Sequence, residues 1–163
     1  MASEATLFII KPDAIKRGLI GEILTRLETL RLDIIGAKVA RVSKELAEEH
    51  YIHIRTKPFF AETVDYLQGK WHGISYVIVF VFYGQDAIER VRKLTGATHP
   101  EKADPASIRG ALGRMTTNGW MENVVHASSD AADASREIAL WFQPQELLRV
   151  EAASLAAARP HLT

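Results

Sequence analysis

The run SYVIVFVF at positions 75–82 constrains this chain more than any other feature. From Tyr76 onward every residue is β-branched or aromatic, so the backbone prefers to be extended. Both faces of the resulting pleat are apolar, which places the strand at the centre of a sheet rather than at its edge. The rest of the chain has to be arranged around it.

Thr6 to Ile10 is a second short apolar run, stopped by Lys11-Pro12-Asp13, and reads as a buried strand. Ile20, Ile23, Leu24, Leu27 and Leu30 then fall at helical spacing, with Glu22, Arg26, Glu28 and Arg31 on the other side. Asp33 to Val42 reads as a strand with Gly36 as a weak spot or bulge. Ser43 is placed to cap the next helix, with Glu45 in its first turn. Helices are expected over Phe59 to Leu67 and Asp86 to Leu94. Thr95 to Ser107 has no period and carries Gly96, Pro100 and Pro105, a kind of segment that is either functional or mobile. A turn-rich stretch, Gly110 to Glu122, leads into a strand at Asn123 to His126 and a helix capped by Ser129 or Asp130 that runs to about Trp141.

The resulting order is βαββαβ, an α+β pattern with helices on one face of a mainly antiparallel sheet. A chain of 163 residues suits one domain spanning 1–163, on a prior of roughly 100–200 residues per domain. The core is expected over about 5–148, with an alanine-rich tail at 149–163 that reads as a loosely docked helix. No cysteine is present, so disulfides and thiolate metal sites are excluded. Lys plus Arg equals Asp plus Glu, which argues against a dedicated nucleic-acid binder. The apolar runs are too short for a signal segment or a membrane span, so a soluble cytoplasmic protein is expected.

Chemistry is sought in constellations. Lys11, Arg17, Arg90, Arg92, Lys93, Arg109 and Arg114, with the Thr98 hydroxyl, would make a cationic phosphate pocket if their loops converge over the sheet. Any one of these is more simply a solvated surface charge; Arg109, in a tight IRG turn after the aperiodic loop, is the exception. His126, in NVVHASSD, is the sharper case. A lone histidine is usually held by a backbone partner. This one sits near a strand end beside small residues, just before a helix N-terminus that favours anions. Glu137 on that helix is placed to orient the ring. Neutral imidazole is a competent nucleophile, and a carboxylate on one nitrogen decides which nitrogen is free to attack. The other histidines show no metal-ligand spacing, and neither a P-loop nor a Rossmann fingerprint occurs. Trp71, Trp120 and Trp141 read as packing residues.

Together, IIKPDAIKRGLIGEI, EEHY with KPFF, GATHP, IRG, NVVHAS and EIALWFQPQEL resemble the nucleoside diphosphate kinase family along Ala5 to Leu148. Order and approximate spacing both agree. The resemblance implies a ferredoxin-like βαββαβ fold, a four-stranded antiparallel sheet with helices on its faces, in a homo-oligomer, a hexamer or tetramer. It implies phosphoryl transfer from a nucleoside triphosphate, typically ATP, to a nucleoside diphosphate by a ping-pong route through phosphohistidine. His126 falls on the phosphorylated histidine and Glu137 on the carboxylate that holds it. Lys11 and Asn123 match the sugar-hydroxyl contacts; Arg92, Thr98 and Arg109 match the phosphate contacts. Phe59 matches the aromatic that stacks on the base, and Tyr51 a tyrosine beside the histidine. Mg²⁺ bridges the phosphates in this reading, with no protein residue assigned as its ligand, and neither membrane nor nucleic acid is required. The chain departs from the family pattern at Ala127, where Gly is usual; at Ser129, where an acid is usual and Asp130 follows one place later; at Ala111 and Leu112 after IRG; and at Glu122, where Arg is usual. The alternative is a non-catalytic nucleotide-binding or protein-interaction member of the same fold.

Overall fold

The computed structural model describes residues 3–148. The tail expected as a docked helix lies outside the described residues. In chain order the elements are β1 (Ser3–Ile10), α1 (Pro12–Lys16), α2 (Ile20–Glu28), β2 (Asp33–Arg41), α3 (Lys44–His50), α4 (Phe60–Leu67), β3 (Tyr76–Gln85), α5 (Ala87–Thr95), α6 (Ile108–Leu112), β4 (Arg114–Met115), β5 (Met121–Glu122), β6 (Val125–Ala127) and α7 (Ala131–Trp141). The main sheet has the order β2-β3-β1-β6 with every pairing antiparallel, the ferredoxin-like arrangement. The SYVIVFVF strand is indeed internal, paired along β1 on one side and β2 on the other.

Helices cover both faces of the sheet, which corrects the one-face reading of the element order. Side chains alternate along a strand. Phe8, Ile10, Phe80 and Phe82 therefore pack under α1, α2, α5 and α6 through Ala14, Ile23, Leu27, Val91 and Ile108. Leu7, Ile9, Val77, Val79 and Val81 pack under α3, α4 and α7 through Ala47, Val64, Leu67 and Trp141. An order of elements carries no information about which side each crossover takes. The strand that is apolar on both faces is what needed two layers of cover.

Local signals act where expected. Ser43 accepts from the Leu46 amide and caps α3, and the β2–β3 register shifts between Ile34 and Gly36. Of the two candidate caps for α7, Asp130 takes the role, accepting from the Asp133 amide. The last strand begins at Val125, two residues later than expected. Gly110 to Glu122 holds the end of α6 and then a two-stranded β4–β5 hairpin, closed by Thr116 N–H on the Trp120 carbonyl at 2.9 Å. No helix among the described residues is long and apolar enough to cross a membrane.

Candidate active site

His126 pairs with Ile9 across β6 and β1, so its ring projects toward the α3 and α7 side of the sheet. Glu137 is one and a half turns into α7 and fully buried. Its Oε2 lies 2.9 Å from His126 Nε2 and accepts from the Ser128 hydroxyl at 2.7 Å. Ser128 Oγ in turn accepts from the Leu7 amide, which leaves its one hydrogen for Glu137. Two donors on one oxygen fit an ionised carboxylate, which can only accept. His126 Nε2 therefore carries the ring hydrogen, and Nδ1 keeps its lone pair and has no hydrogen bond among the described residues. The His126 side chain is 14% exposed, through the pocket.

That pocket encloses about 550 Å³. Lys11, Tyr51, Phe59, Arg92, Thr98, Arg109, Asn123, His126 and Glu137 all line it, so the structure brings together the nine residues that the resemblance assigned to the site. Lys11 Nζ donates to Asn123 Oδ1 at 2.8 Å and lies 4.7 Å above the Tyr66 ring. Asn123 sits beside a strained residue that hydrogen bonds hold in place. Val124, a β-branched residue, has φ +61°, a conformation costing on the order of 1–3 kcal/mol. Its amide bonds to the buried Asp13 carboxylate at 3.1 Å and its carbonyl accepts from the Lys11 amide at 2.9 Å, while Asn123 N–H meets the Tyr66 hydroxyl at 3.1 Å. Asn123 Nδ2 reaches the Thr98 carbonyl at 3.1 Å, tying the aperiodic loop to the sheet.

Arg109 is buried and donates to the Gly96 and Val125 carbonyls at 3.2 and 2.9 Å, with Nε unpartnered among the described residues. Gly96 lets its loop close on the start of α6: at φ +85°, an added Cβ would lie 2.2 Å from Ser107 Oγ. Phe59 is 49% exposed at the mouth of the pocket. The expected cationic group is otherwise smaller than the sequence suggested. Arg17 turns to the Leu112 carbonyl and to Glu122. Arg90 bonds the Leu30 and Gln85 carbonyls, and Arg114 is held by Glu122 at 2.6 Å. Lys93 is exposed and does not line the pocket. Carbonyls at loop ends and one buried carboxylate captured the three arginines.

Burial, reinforced by Lys11 and Arg109, holds the His126 pKa well below 6.5. Burial does the same to His50, with His126 adding to it. Burial raises the Glu137 carboxyl, opposed by His50 and the Ser128 hydroxyl. Both rings are thus neutral at neutral pH, as a nucleophile requires. Their lowered folded pKa values mean that the unfolded chain binds more protons below about 6.5, so stability falls as pH falls through that range. Thermal unfolding followed by circular dichroism is expected to show a lower midpoint at pH 5 than at pH 7. An unchanged midpoint would mean that the lowered rings do not outweigh the raised Glu137 and Asp13 carboxyls, whose contributions have the opposite sign.

For the Mg²⁺ that the resemblance implies, the pocket offers oxygen donors of the right kind: the Asp133 carboxylate and the Ser129 hydroxyl, which are bonded to each other at the rim. Asp130, closer to the family's acidic position, is spent on capping α7. The residues present therefore fit a hydrated cation that arrives with phosphate oxygens.

Several residues at the site were not singled out. Ser128 had a visible signal, lying two positions after His126 and inside NVVHAS. Asp13 and His50 lay inside the IIKPD and EEHY stretches but carried no role there, and Tyr66 had no signal, because only long-range closure brings it there.

A family model described as nucleoside diphosphate kinase matches residues 4–147. A curated protein of Pyrococcus horikoshii, named nucleoside diphosphate kinase, is 47% identical over 145 residues, covering 89% of this chain and 88% of that one. Its namesake from Thermus thermophilus is 44% identical over 145 residues, covering 89% and 99%. Among solved structures, a transition-state mimic of the Borrelia burgdorferi nucleoside-diphosphate kinase with bound vanadate and ADP superposes with a TM-score of 0.81 at 36% identity, covering 93% of this chain and 94% of that one. The Halobacterium salinarum enzyme in complex with CDP gives 0.82 at 39% identity, covering 95% and 97%.

Proposed function

Because this chain belongs to the nucleoside diphosphate kinase family, we propose that its pocket carries a phosphoryl group from a nucleoside triphosphate to a nucleoside diphosphate through Nδ1 of His126. The activity is that of a nucleoside diphosphate kinase; the assignment of roles to residues is our reading. The observation that carries it is the bond from His126 Nε2 to Glu137, which leaves Nδ1 as the open nitrogen in a pocket lined by Lys11, Arg92 and Arg109.

In the first half-reaction the Nδ1 lone pair forms a bond to the γ-phosphorus as the bond to the bridging oxygen breaks, and the nucleoside diphosphate leaves. In the second, a diphosphate oxygen of the acceptor takes the phosphoryl group and His126 returns to its neutral form. Phosphoryl transfer has a loose transition state, so most of the catalysis is positioning and neutralisation of charge. Arg109 and Arg92 supply cationic donors, and Thr98 a hydroxyl. Mg²⁺, held near Asp133 and Ser129, would supply further neutralisation of charge. Lys11 and Asn123, already bonded to each other, would orient the sugar. Phe59 would stack on the base, a contact that any base can make. Tyr51, buried beside His126 with ring centroids 6.5 Å apart, would pack the nucleophile's flank.

A cytoplasmic homo-oligomer, hexamer or tetramer, belongs to the same reading. The edge strand β2 supports it, since Val39 there is 66% exposed and Ile34 is exposed too. Light scattering of the full chain decides the stoichiometry.

The test is intact mass after brief exposure to Mg-ATP at neutral or alkaline pH, where phosphohistidine survives. One added phosphoryl group on the peptide bearing His126, discharged by GDP, is expected. Nucleotide binding without added mass would favour the non-catalytic alternative.

Lys11 gives a second handle. Burial, with Arg109 nearby, lowers its pKa to about 7, against the pull of Asp13. At pH 8 the free protein holds it mostly neutral, and the negative phosphates of a bound nucleotide favour the ammonium. Calorimetric titration at pH 8 in two buffers of different ionisation enthalpy is expected to show proton uptake on binding, lost in Lys11→Met. Binding with no proton uptake would mean that Lys11 is already charged.

A further inference from the structure

His50 closes α3 and is fully buried, yet it touches the reacting ring. The two imidazoles meet at nearly right angles, with centroids 4.4 Å apart and planes at 76°. Tyr51 packs against His50 in the same way, at 4.7 Å and 75°. Trp141 Nε1 lies 3.1 Å from His50 Nδ1. An indole nitrogen can only donate. Nδ1 must therefore accept, and the single ring hydrogen of a neutral His50 must sit on Nε2. Nε2 has no hydrogen-bond partner among the described residues. The Tyr51, His126 and Trp141 rings all stand edge-to-face with the His50 ring.

His50, His126 and Glu137 have ligand-type atoms within 4.8 Å of one another, close enough to suggest a metal site. The tautomer disposes of that reading. A metal needs a free lone pair, and His50 has none to give: the one on Nδ1 is engaged by Trp141, and Nε2 carries hydrogen. Glu137 Oε2 is likewise occupied by His126 and Ser128. What the cluster retains is a packing relation between two rings.

We propose that His50 is a positioning residue, whose ring, held in one tautomer and one orientation by Trp141, sets the tilt of the His126 ring and so the direction of its Nδ1 lone pair. This rests on His126 being the phosphorylated residue. The torsion that turns a histidine ring about its Cβ–Cγ bond has a broad, roughly two-fold well, so the side chain's own energetics do not fix the ring plane. Glu137 pins one atom, Nε2, and still allows the ring to rock about that contact. A second contact on the ring is needed to aim Nδ1 along the line of attack. His50 supplies it, and it is rigid because α3, Trp141 and Tyr51 confine it.

His50→Asn in the full chain keeps an acceptor oxygen for Trp141 but withdraws the ring from His126. At saturating Mg-ATP, the rate of His126 phosphorylation is expected to fall roughly 10- to 100-fold, the cost of a misplacement approaching 1 Å, while the nucleotide KM changes less than about twofold. Trp141→Phe, which keeps an aromatic ring but removes the indole N–H and so frees the tautomer, should lower the rate in the same direction with KM again unmoved. An unchanged rate in His50→Asn, or a loss of rate accompanied by loss of nucleotide binding, would overturn the proposal. The unmodified chain gives a test that does not depend on variants folding. Long-range ¹⁵N correlation spectra should show neutral His50 protonated on Nε2, with that resonance shifting when His126 is phosphorylated. A His50 protonated on Nδ1, or one blind to His126 phosphorylation, would sink it. If the unmodified chain takes up no phosphoryl group at all, the functional reading itself fails, an outcome that the tautomer spectrum alone would not produce.

Discussion

His126→Ala is expected to take up no phosphoryl group from Mg-ATP and to lose turnover by more than about 10⁴-fold, the scale seen when a covalent nucleophile is deleted. The fold is expected to survive. The ring faces a pocket open to solvent, so water can occupy the space it leaves. Glu137 keeps the Ser128 hydroxyl at 2.7 Å and an ion-pair neighbour in Arg136. Removing a histidine with a lowered pKa also removes part of the proton-linked loss of stability in acid, so the gap in unfolding midpoint between pH 7 and pH 5 should narrow. Mass spectrometry at alkaline pH and circular dichroism check both halves. Unfolding of the variant at ambient temperature would show that His126 is mainly structural.

Glu137→Gln has the next largest expected effect, and its reason is the direction of a hydrogen bond. The carboxylate accepts from Nε2 and so keeps the hydrogen off Nδ1. A glutamine that turns its amide nitrogen into the Oε2 position, which both His126 and Ser128 meet, donates to Nε2 instead. His126 would then carry its hydrogen on Nδ1, the nitrogen that has to attack. A reversed tautomer costs up to about 10⁴-fold in the serine-protease triads, and a fall of comparable order is expected here in phosphoryl uptake. Nucleotide binding, which rests on Lys11, Asn123 and the arginines, should change little. Retained uptake in Glu137→Gln would mean that Glu137 does not set the tautomer. Measuring uptake in a single turnover keeps product release from masking the difference.

Much of this was legible along the chain. Consecutive β-branched and aromatic residues announce β3 wherever it ends up. The polar stop Lys11-Pro12-Asp13 ends β1, and Ser43 and Asp130 begin helices by bonds within three residues of themselves. His126 and Glu137 could be paired from the sequence because only a short loop and the first turns of α7 separate them. The nine expected site residues share one pocket because the βαββαβ order brings the ends of β1 and β6 together.

Other features were not legible, for a shared reason. Arg17, Arg90 and Arg114 looked equivalent to Arg92 until carbonyls and Glu122 from distant segments claimed them. The β4–β5 hairpin is too short for any period to show. Glu122, a departure from the family pattern, became the buried partner of His72, Arg114 and Arg17. His50 was one of the histidines without metal-ligand spacing, and Trp141 read as a packing residue.

By itself the sequence determined which of the longer segments are extended or helical and which histidine has a carboxylate within reach, because those depend on residues that are neighbours along the chain. Only the tertiary structure decided which cations face the pocket, which ring nitrogen of His126 is free, and that Trp141, 91 positions away, dictates the tautomer of His50. A hydrogen-bond direction or a ring tilt is set by whatever group lies within about 3–4 Å, and in this sheet those groups come from opposite ends of the chain.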